Sequence, residues 1–145
     1  MNKRLIKSPK LYFADTGLAS YLLNISNADQ LQNHYLRGGL FENFVLLELL
    51  KSRYNKGLDK NIYFYRDNNK NEIDFIVEKA DKVDVIEVKS GQTFSEALLK
   101  SLKFWKRNFD EINSDTYLIY GGDITQQYKN HNIVSWKNIS ILFDG

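Results

Sequence analysis

The chain has no cysteine, one proline and, across 145 residues, no apolar run near the roughly 18 residues of a membrane-spanning helix. The missing cysteine excludes disulfides, thiolate zinc sites and thiol nucleophiles, and it suits a reducing cytoplasm, which is the expected compartment. The lone Pro9 stands near the start, and no repeat or low-complexity block follows it. The basic N-terminus, MNKRLIKSPKLYF, lacks the apolar stretch of a signal peptide. Charge of one sign is also scarce: the balance is +2, so any affinity for nucleic acid must come from a local basic patch. No Gly-x-x-x-x-Gly-Lys-Ser/Thr loop exists, which excludes P-loop nucleotide hydrolysis. Apolar residues at 43% and aromatics at 14% suffice for the core of one ordinary domain.

The periodicities give an α/β layout. Asp15-Thr16-Gly17 precedes a short helix from about Leu18 to Leu23, with Asp15 or Thr16 as its cap, and the polar stretch Asn24–Tyr35 reads as a loop or frayed helix. Gly38-Gly39 opens LFENFVLLELLKSRY, a long helix whose apolar residues cover most of its circumference and predict extensive burial. Three strands follow, Asn61–Arg66, Glu72–Glu78 and Val83–Lys89. The turn-forming Asp67–Asn71 and the short Lys79–Lys82 join them as two antiparallel hairpins. In the second strand Ile73, Phe75 and Val77 are expected on one face, with Glu72, Asp74, Ile76 and Glu78 on the other. Thr93 and Glu96 have capping-box spacing, and Phe94, Ala97, Leu98, Leu102 and Trp105 form the stripe of a second helix. Strands at Thr116–Gly122 and around Ile139–Phe143 complete a mixed central sheet with helices on both sides. The expected division is a helical lead-in at 1–36, truncated if Met1 is not the natural start, and a domain at 37–145.

The segment Glu72–Gly91, EIDFIVEKADKVDVIEVKSG, places Asp74 in one apolar strand and Glu87-Val88-Lys89 in the next. Burying an unpaired charge costs several kcal/mol, so charges at these positions point to use. Residues two apart on a strand share a face about 6.6 Å apart, so Glu87 and Lys89 point the same way and a hairpin sets Asp74 beside them. Two carboxylates at a sheet edge make a hard-oxygen site for Mg²⁺ or Mn²⁺, completed by water, the Val88 carbonyl and substrate phosphate. A metal there would polarise the phosphate, and Lys89 would orient the attacking water and offset developing charge. Glu42, early in the long helix, either snorkels to the rim or reaches inward to that site.

Other polar and aromatic residues read more simply. Arg66, Lys100 and Lys103 are solvating charges, of which Arg66 is best placed to meet phosphate. His34 and His131 are expected at the surface, and Tyr63, Tyr65, Phe104 and Trp105 in core or edge packing. Gly121-Gly122 marks a turn.

The order Glu42 in a helix, Asp74 in a strand and then Glu87-x-Lys89 resembles the PD-(D/E)XK nuclease superfamily, with its restriction-endonuclease-like αβββαβ core. KSPKLYFADTGLASYLL, GGLFENFVLLELLK, YFYRDNNKNEIDFIV and IEVKSG are together similar to the uncharacterised domain that follows the ATPase module in a group of prokaryotic AAA-type ATPases. The resemblance implies Mg²⁺-dependent cleavage of DNA, with Asp74 and Glu87 as metal ligands, Lys89 as catalytic lysine and Glu42 as supporting acid. It also implies an ATPase partner in cis or in trans, and it allows a homo-oligomer. Ile73 stands where the superfamily's name has proline. A domain of the same fold that binds nucleic acid or serves an ATPase without cutting is the alternative.

Overall fold

Local capping chemistry starts each of the first helices in the computed structural model, which describes residues 10–143. Asp15 accepts the Leu18 amide through Oδ1 and opens α1, Thr16–Leu22. Asn27 does the same for Gln30 and turns the polar stretch after α1 into a short, formed helix, α2, Ala28–Asn33. The long helix α3, Arg37–Asn55, follows. It is only half-buried, contrary to the expectation from its apolar girth: Asn43, Val45 and Leu49 are its buried residues, and only one side meets the sheet.

The sheet has six strands in the order β1-β2-β3-β4-β6-β5. Ile62–Arg66 (β1), Glu72–Glu78 (β2) and Val83–Lys89 (β3) form the two antiparallel hairpins. Asp67 builds the first connection by accepting the amides of Asn69 and Asn71 at 2.8 and 2.9 Å. A 3₁₀ turn, Glu96–Leu99, and α4, Lys100–Asn108, then cross over to β4, Ser114–Tyr120, which pairs parallel with β3. From α3 to β4 the elements therefore run α-β-β-β-α-β. Beyond β4, Gln126–Tyr128 (β5) and His131–Ser135 (β6) close the edge, with β6 parallel to β4.

Two hydrophobic layers flank the sheet. Val45 and Leu49 of α3 pack on Phe75, Val77, Ile86 and Val88. On the opposite face Leu99, Leu102 and Trp105 pack on Ile73, Val85 and Leu118. Burying these side chains contributes roughly 1.5–3 kcal/mol each. Among the described residues no helix is long and apolar enough to cross a membrane.

Four further expectations are corrected. Ile73 does not share a face with Phe75 and Val77, because the β1–β2 register shifts: Tyr63 pairs with Ile76 but Tyr65 with Ile73. Asp74 and Phe75 thus oppose one residue of β1, a bulge that sends Ile73 into the α4 layer. The Thr93–Glu96 capping box does not form, since the helix starts at Ser95 as a 3₁₀ turn without a side-chain cap. The tighter turn buries Leu99 and leaves Ala97 exposed. The expected strand near Ile139–Phe143 is 3₁₀-helical instead: Trp136–Phe143 is two short turns kinked at Asn138, and Ile139 and Leu142, three apart, both enter the core. Finally, His131 is buried at 5% exposure, bonded through Nδ1 to the Thr116 hydroxyl at 2.8 Å. His34 lies half-buried against the Tyr35 ring.

Candidate functional site

Charged side chains gather where β2 and β3 meet. Glu87, on β3, is 4% exposed, and its Oε1 accepts from Lys89 Nζ at 2.6 Å. Strand alternation does bring these two together. Its other oxygen, Oε2, is buried without a hydrogen-bond partner among the described residues. Asp74 is 8% exposed, and its Oδ2 accepts the Val88 amide at 2.8 Å. Asp74, Glu87 and Lys89 line one cavity of about 220 Å³ together with Glu72 from β2 and Lys100, Ser101 and Phe104 from α4.

Glu42 reaches this region from α3, on the other side of the sheet. Its Oε1 accepts from Tyr12 Oη at 2.6 Å and from Lys10 Nζ at 3.2 Å. The Lys10 ammonium also lies 2.5 Å from Glu72 and 3.9 Å from Asp74. Lys10 and Tyr12, two residues apart, both meet Glu42.

Electrostatics follow from crowding carboxylates in a dry place. Burial, then Glu87 and Glu42, push Asp74 up to about 7, against the opposing Val88 amide and Lys89. Burial also raises Glu87, although Lys89 and the nearby Ser101 hydroxyl favour its charged form. For Lys89 and Lys10, burial pulls downward but the surrounding acids outweigh it, so both are raised and stay protonated. Burial, followed by Glu42, raises the Tyr12 hydroxyl.

Several residues fall elsewhere. Arg66 is exposed at the end of β1, paired in register with Glu72 but outside the cavity lining. Lys103 pairs with Glu96, while Lys100 lines the cavity. A larger apolar hollow of about 550 Å³ lies among α1, α2, α3 and the ends of β3 and β4. Among the described residues its lining includes no carboxylate.

The sequence reading missed Lys10, Tyr12, Glu72 and Ser101 as site residues. Lys10 and Tyr12 were visible only as two-residue spacing in KSPKLYF. Glu72 stood in the acidic alternation of β2, and nothing in the chain singles out Ser101.

The oxygen atoms of Asp74 and Glu87 suit a hard divalent cation, and Glu87 Oε2, with the Ser101 hydroxyl near its carboxylate, makes no hydrogen bond of ordinary geometry. Among the described residues no cluster of three or more His, Cys, Asp or Glu side chains is preassembled for a metal. Residues 37–139 match the family described as Domain of unknown function (DUF4143), a span that begins with α3. No curated protein and no solved structure matches the chain.

Proposed function

Because the chain belongs to the DUF4143 family, whose function is unknown, its activity must be argued from its site, and we propose that it is a Mg²⁺- or Mn²⁺-dependent nuclease-like domain acting on DNA. The proposed class is the PD-(D/E)XK, restriction-endonuclease-like one. The observation that carries the reading is the pair of buried carboxylates, Asp74 and Glu87, sharing a polar cavity with a protonated Lys89. The α-β-β-β-α-β order supports it, since that is the order of the resembling fold.

The residues present fit a divalent cation: two adjacent buried carboxylates lack enough counter-charge, and one oxygen makes no hydrogen bond of ordinary geometry. Asp74 and Glu87 would hold the ion with the Val88 carbonyl, and Glu42 would support them from α3. When bound, such an ion polarises a phosphate and acidifies a coordinated water. Lys89, fixed by Glu87, presents N–H donors where an attacking water or a developing phosphate charge would lie. Ser101 and Lys100 supply further donors on the α4 side. DNA is the proposed substrate, with an AAA-type ATPase, in cis or in trans, as the proposed partner.

The test is conversion of supercoiled plasmid by purified protein with Mg²⁺ or Mn²⁺. Wild type should nick it, while Lys89→Met and Glu87→Gln should each lose on the order of 100-fold or more. Equal cutting by Lys89→Met would remove the proposed mechanism. A second reading, a non-cutting module that binds nucleic acid or serves an ATPase, is favoured by the Lys10 ammonium already lying between Glu42 and Asp74. It predicts an intact plasmid under every divalent ion.

A further inference from the structure

We infer that Lys10 is a resident cation of this acidic site, an ammonium delivered by the segment preceding α1 that competes with divalent ions for the Glu42–Glu72–Asp74 side. The inference rests on the metal-dependent reading of Asp74 and Glu87. Lys10 makes ion pairs with three acids from two elements, Glu42 of α3 and Glu72 and Asp74 of β2. Among the described residues no other ammonium in the site is shared so widely: Lys89 pairs with Glu87. The Lys10 Nζ also lies over the Phe64 ring, 5.6 Å from the centroid, so a cation–π contact adds to the ion pairs.

Competition follows from position. A cation entering between Asp74 and Glu42 would meet the ammonium at contact distance. Like charges in contact repel far more strongly at a protein surface than in bulk water. Glu87 makes no ion pair with Lys10; its partner is Lys89, 2.6 Å away, and both line the cavity with Ser101. Lys10 therefore leaves the Asp74–Glu87 side for a divalent ion and closes the Glu42 side to one. On this account Glu42 supports the site through Lys10 and Tyr12 rather than by coordination.

Titration calorimetry with Mn²⁺ alone, on the full chain, tests this. Lys10→Met should bind Mn²⁺ about tenfold more tightly than wild type, and Lys10→Arg should bind as wild type. Unchanged affinity in Lys10→Met overturns the inference. Should Mn²⁺ bind neither protein, the metal reading itself fails, and melting in EDTA at pH 8 decides what Lys10 does. There, Lys10→Met should melt below wild type and recover when Glu42→Gln is added. An unchanged melting point, or no recovery, overturns Lys10 as the counter-cation.

Discussion

Asp74 reaches across to β3 and accepts the Val88 amide at 2.8 Å, a side chain serving where the backbone ladder has stopped. The β2–β3 register runs from Glu78↔Val83 to Phe75↔Ile86, and the bulge at Asp74 lies just beyond it. One carboxylate thus terminates a ladder and faces the cavity.

This double use separates two substitutions. Asp74→Asn keeps an acceptor for the Val88 amide and removes the crowded charge, so in EDTA at pH 8 its stability should equal or exceed that of wild type. Asp74→Ala leaves a buried N–H unsatisfied and should cost about 1–3 kcal/mol. Urea denaturation of both variants provides the check, and equal losses would show that the hydrogen bond contributes nothing.

The raised Asp74 gives stability a definite pH dependence. Its carboxyl titrates at about 7 when folded, against 3.8 in the unfolded chain. Between those values the native state holds the extra proton, so this group makes the metal-free protein more stable as pH falls from 8 towards 4. The effect reaches at most a few kcal/mol. His131 has the opposite sign: burial lowers its pKa, so it removes stability as pH falls below about 6.5. The difference between wild type and Asp74→Asn, followed by denaturation across pH, isolates the first contribution, and a flat difference would contradict it.

Tyr12→Phe removes the hydroxyl that donates to Glu42 at 2.6 Å but keeps the ring against Phe75, 6.1 Å between centroids. A hydrogen bond to a charged acceptor is worth about 1.5–3 kcal/mol, and Lys10 still shares the oxygen, so the expected loss is about 1–2 kcal/mol. Chemical denaturation measures it. A neutral result would mean that Lys10 alone holds Glu42.

Gly121 has no room for a side chain. A Cβ there would stand 2.4 Å from the Ser90 carbonyl oxygen, and its amide donates to Lys89 O and Gly91 O, both at 3.0 Å. Gly121→Ala should cost about 1–3 kcal/mol and displace the end of β3 that carries Lys89. Gly91→Ala, with nothing within 4 Å, should be near neutral and is the natural control in a thermal melt.

The helices and hairpins around the site were legible because their signals are local. Asp15 caps α1, Asp67 builds a turn, and the apolar runs of β2 and β3 end at polar residues. Glu87 and Lys89 share a face for the same local reason. What escaped depends on contacts across the fold. The bulge that reassigns Ile73 arises from pairing with β1, and the helical state of Trp136–Phe143 depends on Ile139 and Leu142 finding the α3 layer. Lys10 joins the site through acids 32 to 64 positions away, a relation that no window of sequence reveals.

The site takes groups from both hydrophobic layers, Glu42 from the helix over one face and Ser101 from the helix over the other. A ligand held there touches elements that must separate together on unfolding, so mass action would spread its binding energy over the whole domain. At a concentration 100 times its dissociation constant, a ligand bound only by the native state adds about 2.7 kcal/mol to global stability. The melting point of this small domain is therefore itself a binding assay, able to rank ions and oligonucleotides before any reaction is known.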